Sequence, residues 1–187
     1  ICPCSTDMTA PLSRDAAIAR ITSPGQAYEL VEQLCAGRLC RVFLHAPPTL
    51  RELYEASRSD RPFIVFEDER LSFEDVWRRS CALAQALVSE LGVRKGDRVA
   101  IAMRNYPEWM IAFNAATAIG AIAVAMNAHW QADEMAFALG DCQARVLLAD
   151  QERLDRLAAC KALPEGLSVV AVRARGLPPA GSLAYDE

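Results

Sequence analysis

Few side chains in this sequence have a type and spacing suited to chemistry, and the pair His129-Trp130 has the most informative position. His45 and His129 are the only histidines, and neither stands in an HxxxH, HExxH or comparable spacing that would bind a metal ion. His129 and Trp130 follow an apolar segment typical of a strand, and open α/β sheets bind ligands beyond the carboxyl ends of their strands. We therefore predict that His129 and Trp130 line a ligand pocket. The alternative is ordinary packing of a loop.

Motifs that cradle phosphate or supply a nucleophile are absent from the sequence. The nine glycines form neither a GxG pair nor a GxxxxGK[ST] loop, so the dinucleotide fingerprint and the P-loop are both missing. The GxSxG turn of serine hydrolases is missing as well. The seven cysteines include no CxxC pair, and we expect reduced thiols. The sequence therefore predicts no catalytic residue and no metal ligand within this chain.

Composition and charge exclude several classes of protein. A hydrophobic content of 52% is enough for one large or two small globular domains. A net charge of -4 and scattered arginines argue against a nucleic-acid surface, which needs clustered Lys and Arg. The uncharged run 109–126 is long enough to span a membrane, but Gly120 divides it into a helical and a strand-like half, so we predict no span. Residues 1–14 show no signal-peptide pattern, and we expect a cytoplasmic protein.

The elements that would position these residues are clearest in segment 95–109. An apolar run, Val99 to Met103, follows a Gly-Asp turn, as expected for a strand covered on both faces of a parallel sheet. Asn105 is expected to cap the next helix, with Pro107 in its first turn. Gly120 is expected to end that helix before a second apolar strand. The segment therefore predicts a β-α-β unit.

The alternation of helix and strand continues on both sides of this unit. Ser72 and Asp75 have the spacing of a capping box at the start of a long helix. Beyond the second strand the pattern predicts two more helices, the first ended by Gly140, each followed by a short apolar strand. Successive β-α-β units predict an α/β fold with a doubly wound, mostly parallel sheet flanked by helices. We expect four segments: a poorly defined extension (1–20), a helix and strand segment packing on the core (21–60), the α/β subdomain (61–175) and a linker or truncated end (176–187).

Three stretches in this order carry a family resemblance: RPFIVFEDERLSFEDVW, LGVRKGDRVAIAMRNYPEWMIAFNAATAIGAIAVAMNAHW and DEMAFALGDCQARVLLAD. Together they closely resemble the N-terminal region of AMP-forming acyl-CoA synthetases, which belong to the adenylate-forming ligase superfamily. The resemblance is strongest over residues 61–150. It implies a reaction in which a carboxylate attacks ATP, with Mg²⁺, to give an acyl-adenylate, and coenzyme A then displaces AMP.

The resemblance also implies what this chain lacks. In the family, the phosphate loop, the adenine and ribose motifs and the catalytic lysine lie further along the sequence. We therefore expect an N-terminal fragment that is inactive alone and binds ATP, Mg²⁺ and coenzyme A tightly only as part of the full-length enzyme. The expected partners are the remainder of the ligase and a carboxylic acid, and a homo-oligomer is left open. His129 and Trp130 would then contact the substrate.

Arginines 153 and 156 are the cofactor-binding residues that the resemblance implies. In some coenzyme A ligases an arginine pair after the matching strand contacts the nucleotide phosphate of coenzyme A. Arg153 and Arg156 are spaced i and i+3 and would share a helix face, although a solvated helix face is the alternative. Two alternative functions are a non-catalytic interaction or dimerisation module of the same fold, and a Rossmann-type oxidoreductase, which the missing GxGxxG disfavours.

Overall fold

The computed structural model describes residues 12–175 and 182–185, and the chain divides into two units after Pro48. The division falls earlier in the sequence than the expected boundary near residue 60. The expected segment boundaries stay predictions. Most of the proposed extension and of the proposed linker, namely residues 1–11, 176–181 and 186–187, lies outside the described residues.

The first unit contains one helix, α1 (Arg14–Ile21), and one antiparallel hairpin, β1 (Leu30–Cys35) and β2 (Arg38–Phe43), within its described residues. The Ser13 hydroxyl accepts a hydrogen bond from the N–H of Ala16 at 3.2 Å and caps the helix. Ala36 and Gly37 both have positive φ, which is the geometry of a two-residue hairpin turn.

The second unit is built on a parallel sheet. The elements of the unit are α2 (Leu50–Ala56), β3 (Pro62–Phe66), β4 (Glu69–Ser72), α3 (Phe73–Ser89), β5 (Arg98–Ala102), α4 (Pro107–Ala118), β6 (Ile122–Ala125), α5 (Ala132–Asp141), β7 (Ala144–Asp150), α6 (Gln151–Ala158), β8 (Ser168–Val172) and β9 (Ser182–Ala184). The parallel sheet has five strands in the order β6-β5-β7-β8-β9. A separate antiparallel hairpin, β3 and β4, precedes it along the chain.

Helices cover both faces of this sheet. Successive residues of its central strands point to opposite sides, so each of these strands packs against both layers of helices. Val99 and Ile101 of β5 pack in the same core as residues of α3 and α4. Ala100 and Ala102 pack with residues of α5 and α6 on the other face. All four side chains are buried, so the near-continuous apolar run of β5 has the cause expected from the sequence. The doubly wound α/β fold is confirmed.

The capping box at the start of α3 is present. The Ser72 hydroxyl accepts from the N–H of Asp75 at 3.0 Å, and the Asp75 carboxylate accepts from the N–H of Ser72 at 3.0 Å. The hydrogen bonds from the Ser72 hydroxyl and backbone lower the pKa of Asp75 to about 2. Asp is therefore an adequate replacement for the usual Glu or Gln at this position.

Three local predictions are wrong. Tyr106, not Asn105, is the residue before the first turn of α4, although Pro107 does occupy that turn. Gly140 lies inside α5, and the residue with positive φ that follows the helix is Gln143. The third is β9, a short strand that pairs with β8 in a region where the sequence suggested none. No helix in the described ranges is long and apolar enough to cross a membrane.

Candidate functional site

A polar cleft lies at the carboxyl ends of β5, β7 and β8. The chain leaves β5 through α4 on one face of the sheet and leaves β7 through α6 on the other face. Neighbouring strands whose connections diverge in this way open a crevice, and such crevices are the usual ligand sites of open α/β sheets. The cleft has a volume of about 370 Å³, and we call it the strand-end cleft. Its lining residues are Arg104, Tyr106, Asp150, Gln151, Glu152, Asp155, Arg173 and Arg175.

Asp150 joins the two central strands beneath this cleft. One carboxylate oxygen, Oδ1, accepts from the N–H of Arg153 at 3.2 Å, which caps α6. The other, Oδ2, accepts from the N–H of Arg104 at 2.9 Å, just beyond the end of β5. The side chain of Asp150 is buried, so its charge must be compensated by these donors and by a cation.

The compensating cation is Arg153, whose relative exposure is 2%. Its Nη1 lies 3.2 Å from Asp150 Oδ2 and 2.9 Å from Glu152 Oε2, and its Nη2 donates to the carbonyl oxygen of Ala128. Its Nε is a buried donor without a partner among the described residues. The guanidinium is thus already engaged with the protein on two of its three nitrogens.

Arg156 extends the same network by one helical turn. Its Nη1 donates to the carbonyl oxygens of Ala128 at 2.8 Å and Trp130 at 3.0 Å, and its Nη2 donates to Glu152 Oε1 at 2.5 Å. Its side chain keeps a relative exposure of 20%. The two arginines therefore hold the main chain of the loop that carries the predicted substrate-binding residues.

The structure brings the four predicted site residues, Arg153, Arg156, His129 and Trp130, to one place. The His129 side chain is exposed, and the backbone N–H of this residue donates to the Asn127 side-chain oxygen at 2.9 Å. The Trp130 side chain is half-buried against the core beneath α5 and α6. Their roles in binding substrate and coenzyme A stay predictions.

Glu152 is one of the residues of the strand-end cleft that sequence reasoning missed. Three arginines converge on its carboxylate: Arg104 at 3.1 Å, Arg153 at 2.9 Å and Arg156 at 2.5 Å. The hydrogen bond from Arg104 is the main cause that lowers the pKa of Glu152, and the positive charges of the other two arginines add to it. Its position beside Arg153 in the sequence was the only available signal. Spacing alone does not reveal the contact with Arg104, 48 residues away.

A second ion cluster at the rim of the strand-end cleft surrounds Arg173. Its Nε lies 3.0 Å from both oxygens of Glu108, and its Nη2 lies 2.5 Å from Glu69 Oε1. The guanidinium carbon lies 5.2 Å from the ring centroid of Phe66 and 4.9 Å from that of Tyr106. Burial lowers the pKa of Arg173, but the hydrogen bonds to Glu69 and Glu108 raise it more, and the net shift is upward. Arg173 therefore connects the β3–β4 hairpin, the start of α4 and the end of β8.

Clustered metal ligands are not part of this arrangement. Within residues 12–175 and 182–185, no group of three or more His, Cys, Asp or Glu side chains is placed to hold a metal ion. The carboxylates of the strand-end cleft are instead paired with arginine, as Asp150 with Arg153 and Glu152 with Arg104. The described part of the cleft can therefore position charged groups, but it contains no nucleophile paired with a base.

Comparison with known proteins identifies the class. The model of the family described as AMP-binding enzyme matches residues 52–186. The chain belongs to this family, which confirms the resemblance expected from the sequence. The match covers the whole parallel sheet and both of its helical layers.

Individual relatives are coenzyme A ligases by name. The chain is 35% identical over 107 residues to the medium/long-chain-fatty-acid–CoA ligase FadD6 of Mycobacterium tuberculosis, over 57% of this chain and 18% of that protein. It is 34% identical over 91 residues to the 2-succinylbenzoate–CoA ligase of Bacillus velezensis, over 49% of this chain and 19% of that protein. The chain thus spans less than a fifth of the length of these curated relatives.

Solved structures of similar fold have related descriptions. The anthranilate CoA ligase AuaEII, in complex with anthranoyl-AMP, superimposes with a TM-score of 0.68 at 27% identity, over 74% of this chain and 27% of that chain. A structure described as a putative long-chain-fatty-acid CoA ligase from Rhodopseudomonas palustris has a TM-score of 0.66 at 31% identity, over 74% and 35% of the two chains.

Proposed function

We propose that this chain is the N-terminal part of an ATP-dependent, AMP-forming acyl- or aryl-CoA ligase. The proposal rests on the family match over residues 52–186 together with the names of the relatives, which are fatty-acid and 2-succinylbenzoate CoA ligases. The whole protein would convert a carboxylate to an acyl-adenylate and then to an acyl-CoA. The acid could be aliphatic or aromatic, since relatives of both kinds have similar identity to this chain.

In this ligase the described residues supply a scaffold. The sheet presents a polar cleft at its carboxyl edge, and the two ion clusters around Glu152 and Arg173 fix the loops that border it. The sequence holds no glycine-rich phosphate loop, and its described residues hold no cluster of metal ligands. ATP and Mg²⁺ therefore do not fit these residues, and the chain alone is expected to be inactive.

Coenzyme A is the cofactor that the predicted arginine pair would contact. Of the two, Arg156 has the better position, because its side chain is partly exposed whereas that of Arg153 is buried against Asp150. A phosphate at this surface would contact Arg156 directly, while Arg153 would orient the loop that carries His129 and Trp130. The His129 side chain is exposed on this loop and would contact the substrate.

A non-catalytic interaction module of the same fold is the second candidate. Two exposed apolar side chains make oligomeric state the deciding observation: Phe137 on α5, with a relative exposure of 74%, and Ile122 on the edge strand β6. A natural module should be monodisperse, whereas a separated part of a ligase should self-associate through such groups. Sedimentation velocity of the purified chain distinguishes the two.

Pyrophosphate exchange tests the ligase assignment. The longer protein that contains this chain should exchange labelled pyrophosphate into ATP in the presence of octanoate or benzoate, and the 187-residue chain should not. Exchange by the chain alone would contradict its expected inactivity. Absence of exchange by the longer protein with a panel of aliphatic and aromatic acids would contradict the assignment itself.

A further inference from the structure

A second cleft lies on the opposite side of the sheet from α5 and α6, among the helices α2, α3 and α4. Its volume is about 260 Å³, and we call it the outer cleft. Its walls are mostly apolar or aromatic and come from all three helices. The lining residues are Arg51, Tyr54, Trp77, Ser80, Cys81, Ala84, Gln85, Val88, Asn114, Ala118 and Ile119. None of these residues belongs to the strand-end cleft.

The inner part of the outer cleft contains a polar group that no described residue satisfies. Ser80 has a relative exposure of 4%, and its Oγ has no hydrogen-bond partner in the described part of the chain. Asn114 of α4 is also buried, with a relative exposure of 6%, and lines the same space. Buried polar atoms are nearly always satisfied, so an orphan hydroxyl beside a cavity indicates a missing partner.

The rim of the outer cleft carries an arginine that no described carboxylate pairs with. Within the described ranges Arg51 forms no ion pair, whereas its neighbour Arg58 is paired with Glu74 at 2.8 Å. Glu55 lies one turn further along α2 and is the nearest acidic residue in sequence on that face. Arg51 therefore gives the mouth of an apolar cleft a cationic group that a planar carboxylate can engage through two hydrogen bonds.

One hydrogen bond joins two of the helices that form the outer cleft. The Tyr54 hydroxyl of α2 and the Thr117 hydroxyl of α4 are hydrogen-bonded at 3.1 Å. This bond joins α2 to α4 at Tyr54, whose side chain lines the outer cleft. A smaller cleft of about 190 Å³ continues on the other side and shares Tyr54, Trp77 and Asn114 with the outer cleft. The space is large enough for one aromatic ring with its substituents.

We infer that the outer cleft binds a small aromatic carboxylate that carries a hydroxyl or amino group on its ring. The carboxylate pairs with Arg51, the ring packs between Trp77 and Ile119, and the ring substituent hydrogen-bonds Ser80 Oγ. The chemistry of the cleft matches such a molecule at both ends: cationic at the mouth, hydrogen-bonding inside and apolar between. This site is separate from the strand-end cleft and adds a binding function beyond the proposed ligase reaction.

Isothermal titration of the 187-residue chain tests the inference with three probes. 4-Hydroxybenzoate should bind, benzoate should bind about fivefold more weakly because it lacks the ring hydroxyl, and 4-hydroxybenzyl alcohol about tenfold more weakly because it lacks the charge. The titration contains no ATP or coenzyme A, so its failure leaves the ligase assignment standing. Equal binding of all three probes, or no binding of 4-hydroxybenzoate, would overturn the inference.

Matched variants test which residue recognises each end of the bound 4-hydroxybenzoate. Ser80→Ala should remove the preference for 4-hydroxybenzoate over benzoate, and Arg51→Met should remove the preference for acid over alcohol. Ala84→Phe should fill the cleft and abolish binding of both acids. Arg79→Met, an exposed residue beside Ser80 in sequence that does not line the cleft, should bind like the unaltered chain. A loss with Arg79→Met equal to that with Arg51→Met would show non-specific charge attraction and contradict the site.

A thiol in the outer cleft allows binding to be measured on the unaltered chain, so the result does not depend on whether a variant folds. Cys81 lines the outer cleft, and burial raises its pKa, so alkylation should be run at mildly alkaline pH. Saturating 4-hydroxybenzoate should slow alkylation of Cys81 at least about threefold, as followed by peptide mass spectrometry. Cys142, at the end of α5 on the other face of the sheet, is the internal control and should be unaffected. Equal rates at Cys81 with and without the probe would contradict binding at this cleft.

Discussion

The strand-end cleft and the outer cleft are both bordered by arginine, but they differ in what the arginine contacts. Arg153 and Arg156 have the conspicuous spacing, yet their guanidinium groups are occupied by Asp150, Glu152 and main-chain oxygens. Arg51 belongs to no sequence pattern, but its guanidinium group is available to a ligand because it forms no ion pair within the described residues. An arginine pattern in a sequence therefore shows where charge is concentrated. It does not show which charge remains available to a ligand.

The largest loss of stability should follow from removing the buried carboxylate of Asp150, which pairs with Arg153. Asp150→Ala removes the cap of α6 and leaves the buried guanidinium of Arg153 without its partner, so the free energy of unfolding should fall by about 3–5 kcal/mol. Urea denaturation followed by circular dichroism measures this. The matched control is Asp155→Ala, an exposed aspartate on the same helix, with an expected loss of about 0.5 kcal/mol or less. Similar losses for the two variants would show that the network is not strongly coupled.

A smaller effect is expected at the second ion cluster. Arg173→Ala leaves the mostly buried carboxylate of Glu108 unpaired, and since Arg173 is itself about one-third exposed, the expected loss is about 1–2 kcal/mol. Thermal denaturation should show the lower stability. Arg175→Ala removes a nearby exposed arginine at the same cleft and should leave the melting temperature nearly unchanged. A stabilised Arg173→Ala variant would mean that desolvation outweighs the pairing.

The capping box of α3 should make stability depend on acidic pH. The pKa of Asp75 is lowered from 3.8 to about 2, so its contribution is present above about pH 4 and is lost as the pH falls towards 2. The unaltered chain and Asp75→Asn should therefore differ in urea midpoint at pH 5, and the difference should shrink between pH 4 and pH 2. A difference that is constant across this range would show that the charge of Asp75 does not contribute.

The smallest effect is expected in the outer cleft. Ser80→Ala removes a hydroxyl that makes no hydrogen bond within the described residues, so stability should stay within about 0.5 kcal/mol or increase slightly. The two losses of unfolding free energy, for Ser80→Ala and Asp150→Ala, compare an unsatisfied polar group with a satisfied one. A loss of more than about 1 kcal/mol in urea denaturation would mean that Ser80 Oγ has a partner in solution and would remove one support of the proposed ligand site.

Much of the fold could be predicted because its signals are local. The apolar run from Val99 to Met103, the capping box at Ser72 and the glycine after α4 each depend on neighbouring residues, and the structure has a strand, a cap and a helix end at those places. Gly140 misled the prediction because glycine tolerates helical geometry too, and Gln143 adopts the positive φ instead.

The candidate site was less predictable because its partners are distant in sequence. Arg173 contacts Glu108 and Glu69 at separations of 65 and 104 residues. The contacts of Arg153 and Arg156 with the carbonyl oxygen of Ala128 leave no pattern in the sequence, since every residue has a carbonyl. A contact to main chain is invisible to motif reasoning.

Because Arg153 and Arg156 bond main-chain oxygens, the loop at Ala128–Trp130 can change its side chains during evolution. Both arginines donate hydrogen bonds to carbonyl oxygens, which any amino acid would provide. These bonds to the loop therefore do not depend on the side chain at position 129. Substitutions at His129 can alter what the protein touches at its surface while the backbone stays where it is. Diversity at this position would therefore carry little folding penalty.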